Sequence, residues 1–175
     1  NNCSNYVILR NYSNISEMDK INSDIDFLTS DPNFSYNING IKKDKYKSRA
    51  AYKIKINDNK YSIDIRCVDD GYYDPKWSSE IIKSKILYKD SFFIPSPINE
   101  FYSLLYHTLI HKNKLSDKYD NKLISLSSQI GLNFNPSVFQ DRNKMIKILN
   151  NFLSKNKYKV TNPHDFSVQY NYKQK

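Results

Sequence analysis

The stretch Ser23-Asp24-Ile25-Asp26-Phe27-Leu28-Thr29 sets two carboxylates two residues apart inside an apolar segment that reads as a buried strand. An ionised carboxylate buried without a partner is strongly disfavoured, so this segment calls for a cation beside it. Alternate residues of a strand project from the same face. Asp24 and Asp26 therefore form one anionic pincer while Ile25 and Phe27 turn toward the core. A divalent metal ion fits that pincer.

A second strand carries a lone acid in the same manner. Tyr61-Ser62-Ile63-Asp64-Ile65-Arg66-Cys67-Val68 follows Ala50-Ala51-Tyr52-Lys53-Ile54-Lys55-Ile56 across Asn57-Asp58-Asn59-Lys60. Alternation on both sides of an Asn/Asp-rich turn is a hairpin signal. With the Asp24 strand paired beside this hairpin, Asp64 points into the same cleft and three carboxylates surround one or two Mg²⁺ ions. Arg66, two residues beyond Asp64, shares its face and is either a salt-bridge partner for the acids or a phosphate contact.

The order of an apolar strand ending in Leu9-Arg10-Asn11, a variable loop, Ser23-Asp24-Ile25-Asp26 and then Ile63-Asp64-Ile65 resembles the nucleotidyltransferase superfamily of the DNA polymerase beta type. The resemblance runs over roughly residues 6 to 68. It implies a metal-dependent transferase that binds a nucleoside triphosphate such as ATP with Mg²⁺ or Mn²⁺ and moves its nucleotidyl group to an acceptor. In that reading Asp24, Asp26 and Asp64 are the catalytic residues and metal ligands, and Asp64 also helps remove the acceptor proton. Arg10, Asn11, Ser23 and Arg66 contact phosphate oxygens. The family carries Gly-Ser or Gly-Gly after the first strand, where backbone N–H groups cradle phosphate. This chain has Arg10-Asn11-Tyr12 there, so the expectation is a charged fork from Arg10 in place of the backbone nest. Two readings from other classes stay open: a catalytically silent binding or assembly module of the same fold, and a basic nucleic-acid-binding protein.

Composition bounds these readings. A chain of 175 residues, 39% hydrophobic and 14% aromatic, is long and apolar enough to bury a core. Its net charge of +9 comes mostly from Lys scattered over Lys42-Lys43, Lys83, Lys85, Lys112, Lys114, Lys144, Lys147, Lys155 and Lys157. That scatter favours solvated faces over a dedicated nucleic-acid stripe. The excess of Asn, Lys, Ile and Tyr is what an AT-rich genome imposes. Cys3 and Cys67 offer neither a disulfide framework nor metal spacing, which points to a reducing, cytoplasmic compartment. No apolar run reaches membrane-spanning length.

Along the chain the period changes from two to helical after Asp69-Asp70-Gly71. Strands are expected from Tyr6 to Arg10 and through Thr29, with a short helical turn between Ser13 and Asn22 and a short strand within Gly40 to Lys47. Asp74-Pro75 reads as a helix cap and first helical residue, with Trp77, Ile81, Ile82 and Ile86 on one face. Further helices are expected over residues 98–112, over 116–130 ending at Gly131, and from Asn135 through Leu153. The result is an α+β domain. Residues 1–73 form a small mixed sheet bearing the acids, 74–155 form helices completing the same domain, and 156–175 form a polar tail or linker to a fused or neighbouring domain.

Two further constellations follow the third acid. His107 and His111 stand four apart on one face of the expected helix. Zinc would need an acid after the first His, where Thr108 stands, so the pair is expected to be hydrogen-bonded inside or to face the cleft with Lys112. Tyr72 and Tyr73 lie in a turn after the Asp64 strand, either as turn residues or as a platform for a base or sugar.

Overall fold

The computed structural model describes residues 5–12, 24–42, 51–56, 59–112, 119–165 and 168. Five strands form one mixed sheet: β1 (Tyr6–Arg10), β2 (Ile25–Thr29), β3 (Ile41–Lys42), β4 (Ala51–Ile56) and β5 (Asn59–Cys67). Their spatial order is β1-β2-β5-β4-β3. β2 and β5 are parallel, and the other neighbours are antiparallel. The hairpin read from the alternating pattern is β4 and β5. A single helical turn, α1 (Phe34–Asn37), follows the Asp31 turn.

Both faces of the sheet are covered, which explains why its central strands are apolar on both sides. Val7, Leu9 and Leu28 face the helices and join Tyr72, Tyr73, Trp77, Phe101 and Leu105 in the larger core. Ile8, Ile25, Ile63 and Ile65 face the other way and pack with Phe34, Tyr12 and Ile94. One face of the sheet thus shares a core with the helices, and the other face packs a second, smaller cluster.

The helical part begins as its cap signal indicates. Asp74 precedes α2 (Pro75–Lys83) and accepts hydrogen bonds from the Lys76 and Trp77 backbone N–H groups. Such a cap contributes about 1 kcal/mol. Trp77, Ile81 and Ile82 are buried, but Ile86 is not the next member of that face. It opens a small hairpin, β6 (Ile86–Tyr88) and β7 (Phe92–Ile94), whose tight turn places Lys89 and Asp90 at positive φ.

α3 (Pro97–Ile110) is buried along nearly its whole length, and α4 (Asp120–Gln129) packs on it. The helix expected from Asn135 is two elements, a 3₁₀ turn at Pro136–Gln140 and α5 (Arg142–Asn156). Asp141 breaks the run because its side chain accepts from the Asn143 and Lys144 N–H groups, capping a new helix. Glu100 ties three elements together: it accepts from the Tyr12 hydroxyl after β1 and pairs with Lys122 of α4 at 2.6 Å.

The segment after α5 packs back on the domain. Lys159 N–H donates to the second Asp74 oxygen at 2.9 Å, and Thr161 N–H donates to the Tyr106 hydroxyl. His164 N–H donates to the Asp70 carbonyl at 2.8 Å. Gly71 is required for this fit. Its φ is +74°, and a Cβ there would lie 2.2 Å from the Asn162 carbonyl oxygen. The expected turn between Ser13 and Asn22, Ser23, Cys3 and residues 169–175 lie outside the described residues.

Candidate active site

The strand register builds the floor of a cleft. Arg10 pairs across from Asp26 on β2, and Asp26 pairs across from Asp64 on the parallel neighbour β5. Residues in register on adjacent strands project from the same face, so one row runs Arg10, Asp26, Asp64 across three strands. Asp24 precedes β2 and stands exposed at the mouth. The cleft, about 370 Å³, is lined on this side by Asp24, Asp26, Asp64 and Arg66. Tyr72, His107, His111, Lys112 and Val168 complete its lining.

The two in-register carboxylates are held differently. Asp26 receives a bidentate fork from Arg10, Nη2 to Oδ1 at 2.7 Å and Nε to Oδ2 at 3.2 Å. Arg10 is 5% exposed and also donates to the Tyr72 and Tyr73 hydroxyls at 3.0 and 3.4 Å. Asp64 has a looser contact, 3.5 Å to Arg66. Burial pushes the Asp64 carboxyl up; Arg66 opposes this, while Asp26 and Asp24 add to it. An acid cluster whose least compensated member is raised in this way has the donor chemistry that suits a hard divalent cation, and Asp24, Asp26 and Asp64 would be its oxygen ligands. Among the described residues no three acid, histidine or cysteine side chains are already drawn together around a single metal position.

A chain of hydrogen bonds leaves this floor for the helix wall. The Tyr72 hydroxyl, which accepts from Arg10, is also hydrogen-bonded to His107 Nδ1 at 2.9 Å. The Tyr72 ring lies between cations and imidazoles: the Arg66 guanidinium is 4.4 Å from its centroid and the His111 ring 3.9 Å. Burial drives both His107 and His111 well below the ordinary histidine range, and the nearby Arg10 charge pushes in the same direction. Both imidazoles are neutral at pH 7.

Arg66 is bound on both sides, to Asp64 and, at 2.8 Å, to Asp165 from the segment after α5. Asp165 is 5% exposed and was not among the acids singled out by sequence pattern. Its one sequence signal is the Pro163-His164-Asp165-Phe166 cluster in an otherwise polar stretch.

The residues expected to contact phosphate divide accordingly. Arg66 lines the cleft. Arg10 does not: it is buried beneath the floor, and its fork is taken by Asp26. Asn11 donates from Nδ2 to the Asp24 carbonyl at 2.8 Å, so it positions Asp24. It adopts φ +62°, the left-handed conformation that a glycine at this turn would also permit. Ser23 lies outside the described residues. Tyr72 and Tyr73 are buried at 2% and 0%, and Tyr72 is already stacked, so neither is an open platform for a base. Comparison with models of known protein families, with curated proteins and with solved structures returns no match to this chain.

Proposed function

We propose that this chain is a metal-dependent nucleotidyltransferase acting on a nucleoside triphosphate and an acceptor. The observation that carries the reading is the register of Asp26 with Asp64 on parallel neighbours, with Asp24 at the mouth of the same cleft. Asp24, Asp26 and Asp64 would hold Mg²⁺ or Mn²⁺, which supplies charge neutralisation at the transferring phosphoryl group. Arg66 and Lys112, the cations that line the cleft, would face the phosphate oxygens. The acceptor oxygen bonds to the α-phosphorus, the bond to the bridging oxygen breaks, and pyrophosphate leaves with that electron pair. Asp64, which lines the same cleft, takes the acceptor proton.

One observation favours a second reading. Both oxygens of Asp26 are occupied by Arg10, which is how a silent member of the same fold would neutralise an acid it no longer uses. Calorimetric titration with each of the four nucleoside triphosphates in Mg²⁺ separates the two. Binding that needs Mg²⁺ and falls about tenfold or more in Asp64→Asn is the result expected of the transferase. No binding of any nucleotide at millimolar concentration would leave the silent module as the better reading.

A further inference from the structure

The two arginines of the acid floor hold their acids differently. Arg10 turns its Nε–Nη2 edge on Asp26 and closes on both carboxylate oxygens, at 3.2 and 2.7 Å. Arg66 leaves the same edge half-used: Nη2 stands 3.5 Å from Asp64 Oδ2, and the buried Nε has no hydrogen-bond partner among the described residues. Its short contact is made at the other end, Nη1 to Asp165 Oδ2 at 2.8 Å, with both side chains 5% exposed. A buried donor without an acceptor is unfavourable. Moving the Arg66 edge onto Asp64 would satisfy it, so something holds the guanidinium back. Asp165 is placed to do so, because its own segment is tied to the turn that follows the Arg66 strand. His164 N–H donates to the Asp70 carbonyl at 2.8 Å, the Asn162 carbonyl lies against Gly71 where no Cβ would fit, and Asp70 in turn accepts from the Cys67 and Tyr72 N–H groups.

We propose that Asp165 is a positioning residue for the metal site: by engaging Nη1 it keeps Arg66 from closing on Asp64, which leaves the Asp64 oxygens open to a divalent cation. The proposal rests on the reading of Asp24, Asp26 and Asp64 as metal ligands. The need is particular to Asp64, since Arg10 already occupies both oxygens of Asp26, its neighbour in register. A carboxylate inside a bidentate guanidinium fork directs its lone pairs at N–H groups, and a hard cation must displace those donors to bind. Asp165 acts through Arg66 and not as a ligand. Its place among the functional residues therefore depends on a contact made 99 residues away from its partner in sequence.

The test is a Mn²⁺ titration without nucleotide, followed by the electron paramagnetic resonance of the free ion, on the wild type, Asp165→Asn, Arg66→Gln and the two together. It is paired with a crystal structure of Asp165→Asn. The amide keeps the shape and one acceptor, and Arg66 keeps Asp64 as a counter-charge; Asp165→Ser takes its place should that variant not fold. In Asp165→Asn, Nε and Nη2 of Arg66 should lie within hydrogen-bond distance of Asp64, and Mn²⁺ affinity should fall about tenfold. In the Arg66→Gln background the same substitution should change affinity by less than about twofold, because no guanidinium remains to close. An equal loss in both backgrounds would mean that Asp165 acts by its own charge, and would overturn the proposal. So would an unmoved Arg66 in the variant, or an unchanged Mn²⁺ affinity with a lowered melting temperature, which is the mark of a merely structural pair. A wild type that binds no Mn²⁺ at millimolar concentration would sink the metal reading itself, and the role of Asp165 with it.

Discussion

The two walls of the cleft are built on opposite principles. On the strand floor, charge is met by charge: Arg10 closes on Asp26, and Arg66 bridges Asp64 and Asp165. On the helix wall, His107 and His111 are kept neutral among aromatic rings. The floor is therefore an ionic lattice in which acids outnumber arginines, whereas the wall is built of neutral imidazoles and aromatic rings. Stability should depend on charge pairing in the first and on keeping the histidines unprotonated in the second.

The largest test of that contrast is Arg10. Arg10→Met strands Asp26 without its fork at a part-buried position, and breaking a buried pair from one side costs about 3–5 kcal/mol. Urea unfolding should show that loss, and Arg10→Lys should recover only part of it because an ammonium lacks the bidentate geometry. A loss under about 1 kcal/mol would mean the floor is not held by its charges.

Acid should attack the wall next. The folded pKa of His107 and His111 lies well below the ordinary value of 6.5. The unfolded chain therefore binds more protons than the folded one as pH falls through 6.5, and stability is lost on the acid side. Each histidine contributes a slope of up to about 1.4 kcal/mol per pH unit, so about 2–3 kcal/mol should be gone one unit below that point. The groups facing the pair are Arg10, Arg66, Lys112, Tyr72 and each other, and the three cations oppose protonation. Asp64 and Asp70, whose carboxyls are raised, act in the opposite sense nearer their own range, where a protonated folded state is favoured. Denaturant melts of His107→Gln/His111→Gln against pH should be flat where the wild type slopes; an unchanged slope would move the titration elsewhere.

The smallest expected change is at Asp64. Its folded carboxyl is raised, so the ionised form at pH 7 weakens the fold. Asp64→Asn should melt at or slightly above the wild type in metal-free buffer. Asp26→Asn, one strand away in the same register, should melt lower because it leaves Arg10 without a counter-charge. Equal melting of the two variants would erase the distinction drawn between the in-register acids.

Much of this was legible before any coordinates. Asp24, Asp26 and Asp64 announced themselves because each is an acid among apolar residues, and the hairpin signal at Asn57 to Lys60 set the β4–β5 pairing. The Asp74-Pro75 cap and the apolar spacing of α3 were equally local. Ile86 was misplaced because it continues a helical period that Ser84 and Lys85 end; it belongs to the β6–β7 hairpin. The 135–153 run was divided by Asp141, whose capping geometry a stripe of apolar residues does not reveal.

Sequence alone determined the parts that depend on near neighbours: the strand and helix periods, the caps, and the presence of three acids on or beside apolar strands. Only the tertiary structure decided who meets whom. Arg10 faces phosphate in a reading of the chain and Asp26 in the folded protein, because β1 lies beside β2 in a register that one bulge fixes. Asp165 reaches Arg66 across 99 residues, and His111 packs against the Tyr72 ring where the helix meets the cleft. Periodicity reports which face a residue takes on its own element. The partner on the next element is set by packing of both sheet faces and by the desolvation cost that each buried charge must meet.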